Sequence, residues 1–189
     1  MENKLKVTLQ NEKVILRPLA LSDEEALWPI AQEKALWVYG LKDLSEPGEL
    51  RKYIESAIND REAGTAAVWV IIEAKTGKVA GCTRLAEISW KDERGQIGWT
   101  WIGKDFQGTG INRAMKYEIF QYGFETLGLN RIELKADERN LQSRRAMEKI
   151  GAKYEGTLRE HMKINDGFIR NTVFYSILKT EWQELKANW

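Results

Sequence analysis

Apolar positions along the chain switch between a period of two and a period near 3.6, and the switches mark the elements. The run Lys13-Val-Ile-Leu-Arg-Pro-Leu19 reads as a short strand that Pro18 ends. Ser22-Asp-Glu-Glu supplies an N-cap residue and first-turn acids, predicting a helix to about Lys34. A second helix is predicted from near Ser45, with Pro47 in its first turn, through Leu50, Tyr53, Ile54, Ala57 and Ile58 to Gly64. Residues 66–74 form a continuous β-branched and aromatic run (Val68, Trp69, Val70, Ile71, Ile72), Lys75-Thr-Gly-Lys is a turn, and 79–88 returns as the second arm of a hairpin. Its neighbour is a strand over 94–102. Beyond it the pattern predicts a helix over 111–126 ending near Gly128, a strand over 131–136 and a helix over 140–150 stopped by Gly151. Two strands over 153–164 and 168–178 then flank Asn165-Asp-Gly, and a short helix covers 181–186. Residues 1–11, mostly polar, read as a loose lead-in.

No internal repeat and no long linker divides this order, so residues 1–189 read as one mixed α/β domain, long enough to bury a core without staples. Charge changes the picture only by exclusion. The 29 basic and 28 acidic side chains nearly cancel and form no like-charged block, which argues against nucleic acid as the main ligand. One His and one Cys cannot furnish a disulfide or the usual zinc ligand set, so no metal is expected. Cys82 lies in an apolar run and reads as a small core residue in a reducing compartment. No apolar stretch approaches the ~20 residues of a membrane helix and no leader is visible, so no membrane partner and a cytoplasmic location are expected. The eight Trp are read as core, with one or two lining a small-molecule pocket.

The candidate chemistry lies in the stretch from Trp99 to Lys116. An apolar strand (Ile97, Trp99, Trp101, Ile102) breaks at Gly103, and a polar, glycine-bearing loop opens into the helix that starts at Ile111. A helix N-terminus offers unpaired backbone N–H groups and partial positive charge, and glycines let an anion approach them. The loop therefore reads as a phosphate cradle, with an ordinary strand-to-helix turn as the alternative. A P-loop would need Gly-Lys-Ser/Thr, and a dinucleotide fingerprint a third glycine where Arg113 stands.

The hexapeptide Gln107-Gly108-Thr109-Gly110-Ile111-Asn112 resembles the Q/R-x-x-G-x-G/A pyrophosphate loop of the GCN5-related N-acetyltransferases, with Asn112 departing at the last position. Downstream, Arg131-Ile-Glu-Leu-Lys-Ala-Asp, Asn140-Leu-Gln-Ser143, Lys149-Ile-Gly151, Glu155-Gly156 and Glu181-Trp182 resemble the branch containing the RimJ/RimL ribosomal-protein N-acetyltransferases. The resemblance spans nearly the whole chain. It implies a mixed central sheet of about seven strands, splayed between the fourth and fifth, with helices on both faces. It also implies acetyl-CoA as donor, with its pyrophosphate on Gln107, Gly108, Thr109, Gly110, Ile111 and Asn112. The pantetheine arm would run along Trp99, Thr100, Trp101 and Ile102, with Asn140 bonding it from the other side. Arg113, Arg144 or Arg145 would reach the adenosine phosphates. Read on their own, Asn140 is a favoured N-cap and Ser143 a first-turn residue.

In this family the amine attacks the thioester directly. The oxyanion donor would be a backbone N–H near Trp99 to Trp101. Where many relatives carry a Tyr to protonate the thiolate this chain has Met147; the resemblance to the ribosomal branch implies the serine instead, making Ser143 the candidate for positioning or protonating the sulfur, directly or through water. Where relatives carry a basic Glu it has Gln96, which cannot take a proton. A water relay to Glu87, Glu133, Glu160 or His161 is the expectation, and strand alternation admits only one of Glu160 and His161 to the fork, His161 being preferred. The acceptor is a primary amine: a peptide N-terminus, a polyamine, an amino acid or an amine antibiotic, with the Trp content weighing against a polycation. A non-catalytic acyl-CoA-binding module, suggested by Gln96 and Met147, and a scaffold whose loop binds nothing are the alternatives. Members of the branch often form homodimers, and the residues themselves leave the oligomeric state open.

Overall fold

The computed structural model describes residues 4–189. The β-prone runs pair into one sheet of eight strands: β1 (Leu9–Gln10), β2 (Val14–Pro18), β3 (Ala67–Glu73), β4 (Val79–Ser89), β5 (Arg94–Ile102), β6 (Arg131–Asp137), β7 (Lys153–Lys163) and β8 (Ile169–Leu178). Their order across the sheet is β1-β2-β3-β4-β5-β6-β8-β7. Each neighbouring pair is antiparallel except β5 and β6, which run parallel.

Helices α1 (Glu24–Ala31) and α2 (Glu49–Glu62) pack on one face, and α3 (Ile111–Gln121), α4 (Leu141–Lys149) and α5 (Lys179–Ala187) on the other. The alternation of β3 shows why. Trp69 and Ile71 join Met115, Ile119 and Trp182 in one core, while Val68 and Val70 join Leu27, Ile54 and Trp101 in the second. A strand buried on both faces reads as a continuous apolar run, as this one does.

Four sequence expectations need correction. Ser22 does not cap α1. The Asp23 carboxylate instead accepts the Ala20 N–H at 2.8 Å and pairs with Arg17, and residues 21–23 form a 3-10 turn. The helix ends at Ala31 rather than near Lys34: Pro29 interrupts its hydrogen bonding, and the Trp37 indole N–H takes the Ala31 carbonyl at 2.8 Å. Helix α2 begins at Glu49 because Gly48 adopts φ +79°, which leaves Pro47 outside it. Residues 4–11 are not loose, since Leu5 is buried, Val7 O accepts the Trp69 indole N–H at 2.8 Å, and Leu9–Gln10 adds the eighth strand. Residues 1–3 lie outside the described part.

Candidate active site

Strands β5 and β6 pair only at Arg94, Gly95 and Gln96 against Arg131, Ile132 and Glu133. Beyond Gln96, β5 keeps its antiparallel partner β4 while β6 continues against β8, so the two strands part. The β6-facing edge of residues 97–102 is thereby left without a strand partner among the described residues. An amide-bearing chain laid along it would find backbone donors and acceptors already in line.

The free edge is also bent. Between the register pairs Cys82↔Trp101 and Arg84↔Gly98, Trp99 and Thr100 lie opposite Thr83 alone, and Trp99 has φ +50°. Such a bulge re-aims the backbone where it occurs. Three bonds hold it: the Tyr53 hydroxyl donates to Trp99 O at 3.3 Å, Thr83 and Thr100 hydroxyls meet at 2.8 Å, and Thr100 also donates to Gly98 O at 3.3 Å. The tryptophan at a left-handed position was not legible in the sequence, because no turn residue announces it.

At the open end of the fork β5 stops at Gly103 and a 3-10 turn leads to the glycine loop. Gly108 and Gly110 have φ +76° and +92°, and Gly110 caps α3. Helical bonding starts with Ala114 N donating to Gly110 O at 3.0 Å, which leaves the N–H groups of Ile111, Asn112 and Arg113 without an intrahelical acceptor. Gln107 is used internally, its amide donating to Ile102 O at 2.9 Å, and Thr109 donates to Phe106 O at 2.7 Å. A Cβ added to Gly110 would meet Lys13 Nζ at 3.1 Å, so a cation that the sequence did not associate with the loop stands over it. The donor set therefore suits an anion.

Across the fork, Asn140 caps α4, its Oδ1 accepting the Ser143 N–H at 3.0 Å. Ser143 is half-buried, Met147 points into the core, and Gln142 Nε2 reaches Gln107 Oε1 at 3.5 Å, linking α4 to the glycine loop. Of the arginines, Arg113 lies 5.5 Å from the Trp189 ring, Arg144 donates to the Tyr175 hydroxyl at 3.4 Å and to Glu138 O, and Arg145 is exposed.

On the α1–α2 side of the fork the wall behind the opposite mouth is a buried aromatic cluster, and the acids at this mouth are paired with cations. Trp101 meets Trp37 at 5.6 Å and Tyr53 at 6.1 Å between ring centroids, and Arg84, 3 % exposed, lies over the Tyr53 ring at 4.2 Å. Glu87 pairs with Lys135 at 3.2 Å, Glu133 with Arg131 at 2.9 Å, and Asp137 with Arg139 at 2.8 Å. Burial pushes the Asp137 carboxyl up, but the Arg139 side chain and backbone N–H hold it below its ordinary range. Gln96, 3 % exposed at the closed end of the fork, has its Oε1 buried without a hydrogen-bond partner. The turn between β7 and β8 reaches back over this mouth. Asn165 donates from its side chain to Trp37 O at 2.6 Å and from its backbone to Gly40 O at 3.1 Å, and Arg139 stacks on Phe168 at 3.8 Å.

The structure does not support the alternation argument for Glu160 and His161. Residues 159–161 all lie opposite Asn171, between the pairs Leu158↔Thr172 and Met162↔Arg170, so the strand loses its two-residue period there. Glu160 has φ +48°, and both side chains are exposed on β7, the outermost strand, with His161 against Phe174 at 5.8 Å. Strand β8 separates them from the fork. Cys82 is wholly buried, and burial pushes its thiol up to about 11. Among the described residues no group of His, Cys, Asp and Glu is arranged to hold a metal, and no helix is long and apolar enough to cross a membrane.

A parallel pair that parts beside a bulge, with a glycine-opened helix at its mouth, defines an acyl-CoA-dependent transferase fold, and residues 13–153 match the acetyltransferase (GNAT) domain family. The chain belongs to the GNAT family and is an acetyl-CoA-dependent N-acetyltransferase. It is 30% identical over 184 residues to the Bacillus subtilis protein named "Putative ribosomal N-acetyltransferase YdaF", covering 92% of this chain and 95% of that one. A solved "putative acetyltransferase" from T. thermophilus is 31% identical with a TM-score of 0.85, over 96% of this chain and 94% of that chain. A GCN5-related N-acetyltransferase from Brucella melitensis shares the fold at a TM-score of 0.87 and 24% identity, over 96% of this chain and 83% of that chain.

Proposed function

We propose that this enzyme acetylates the primary amine of a peptide or protein N-terminus, with acetyl-CoA held across the fork. The observation that carries the donor half is the unpaired edge of residues 97–102 running into the Gly108–Gly110 loop. The diphosphate takes the open N–H groups at the start of α3, and the amide-bearing arm follows the β5 edge toward Gln96.

The acceptor class follows from the other mouth. Glu87, Glu133 and Asp137 are each paired with a cation, so these three acids do not form a free patch for a polyamine or an aminoglycoside. The half-buried Trp99 ring, with Lys135 Nζ 5.9 Å from its centroid, offers an aromatic surface beside the fork that suits a peptide. The name of the Bacillus relative points the same way and supports the RimJ/RimL-like branch.

In the reaction the amine nitrogen attacks the thioester carbon, the C–N bond forms and the C–S bond breaks. The developing oxyanion is met by a backbone N–H at the Trp99–Thr100 bulge. The orphan Gln96 Oε1 orients a water that carries the ammonium proton to solvent, and Ser143 assists protonation of the leaving CoA thiolate. Holding the two reactants together supplies a large part of the rate.

The test is a thiol-release assay over N-terminal peptides, polyamines and amino acids, with calorimetric acetyl-CoA binding to wild type and Gly110→Trp. Peptide-stimulated release, with binding lost in the variant, is the expected result. Release stimulated only by polycations would overturn the acceptor assignment, and absence of binding would overturn the donor site.

A further inference from the structure

Beneath the glycine loop, α3 carries two polar residues that nothing in the fold satisfies. Asn112 Oδ1 is buried without a hydrogen-bond partner, and four residues on, Lys116 is only 7 % exposed and has no hydrogen bond or ion pair to any described residue. The helix runs on past Gln121 in a π-helical turn over Tyr122–Thr126, where a Cβ added to Gly123 would collide with Ile132 of β6; residues 112 and 116 lie near Gly123 in rotation about the axis, so this face is turned toward the β6 side of the fork. Helical side chains lean toward the N-terminus, and Lys116 stands about 6 Å below Asn112 along the axis. That general lean directs the Lys116 side chain toward the first turn, where the N–H groups of Ile111, Asn112 and Arg113 are open.

That placement is unfavourable in the free protein. A buried cation without a carboxylate is costly, and the positive end of a helix adds to the cost. Burial accordingly pulls the amine down to about 8. An anion at the helix start would remove both penalties.

We propose that Lys116 is a binding residue for the donor, its ammonium pairing with the diphosphate of acetyl-CoA from below the glycine loop, and that Asn112 Oδ1, unpartnered in the free protein, accepts from that ammonium once the donor is bound. The inference rests on the donor site proposed above and deepens it, giving the loop a charge that the six-residue motif lacks. It also accounts for a polar residue at position 112: the carboxamide serves the lysine one turn below.

The experiment compares wild type with Lys116→Met, which keeps the side chain's length and removes its charge, with Lys116→Gln as a second variant should the first not fold. Calorimetry reads the Kd for acetyl-CoA, and thiol release reads kcat/KM for acetyl-CoA and for acetyl-pantetheine, which has the same thioester arm without the diphosphate. We expect acetyl-CoA affinity to fall by about 10-fold or more, the advantage of acetyl-CoA over acetyl-pantetheine to shrink by the same factor, and the ligand-free Tm to rise. Unchanged acetyl-CoA affinity in the variants, with wild type binding and Gly110→Trp not, would overturn the inference and leave the donor site standing. An equal loss with both donors would also overturn it, because the diphosphate would not be what Lys116 recognises. If wild type itself does not bind acetyl-CoA, the donor site and the inference fall together.

Discussion

Gln96 puts a carboxamide at the closed end of the fork, buried, with its oxygen unpaired. In Gln96→Glu a carboxylate takes that place, and burial raises its pKa above the ordinary ~4.3 of a glutamate. The pH profile of kcat/KM should therefore gain an ionisation that wild type lacks; identical profiles would remove this position from the proton path. Ser143→Ala should lower kcat by about 10- to 100-fold with little change in the calorimetric Kd for acetyl-CoA. A parallel loss of affinity would make the hydroxyl a binding group instead. Lys116 gives a stability prediction of its own. Its pKa is lowered from 10.5 to about 8, so between those values the unfolded chain binds more protons and the contribution of this residue to stability rises with pH. Ligand-free Lys116→Met should be more stable than wild type below pH 8, by roughly 3 kcal/mol at most, and the gap should close toward pH 10.5. Denaturant unfolding across that range measures it, and a constant gap would mean that the amine is neutral or solvated throughout.

The element on which the site depends is the β4–β5 pair. A non-glycine residue in the left-handed region costs about 1–2 kcal/mol, so Trp99 stays there only because its surroundings hold it. Opposite the strand's end, Gly81 allows the approach: it has φ +151°, and an added Cβ would overlap the Trp101 carbonyl oxygen. Gly81→Ala must push β4 away from β5, with an expected loss of about 3 kcal/mol in urea unfolding and a matching loss of acetyl-CoA binding. Wild-type stability would show that the pair tolerates a shift and that the bulge does not depend on this contact. The same logic explains why the sequence missed the bulge. Ile97 to Ile102 has the composition of an ordinary strand, and the extra residue becomes visible only against the register of Thr83.

At the scale of the whole molecule, two connections far apart in the chain meet where the acceptor is proposed to enter: the segment after α1, through Trp37, Tyr39 and Gly40, and the β7–β8 turn with the start of β8, through Asn165 and Arg170. Removing the Asn165 side chain should raise the KM for a peptide acceptor by about 10-fold and leave acetyl-CoA affinity unchanged, since the bond lies away from the glycine loop. Equal effects on both substrates would show that the turn supports the whole fork. The sequence by itself determined the order of strands and helices from β2 onward, the continuous apolar run of β3, the glycine loop and the capping role of Asn140. All of these rest on period, turn chemistry and contacts within a few residues. Only the tertiary structure decided where β5 and β6 part, that Trp99 turns left-handed, that Glu87, Glu133 and Asp137 are neutralised, that Glu160 and His161 stand outside the fork and that Lys116 is buried without a partner. Each of those depends on residues brought together from distant parts of the chain, and local pattern carries no record of such partners.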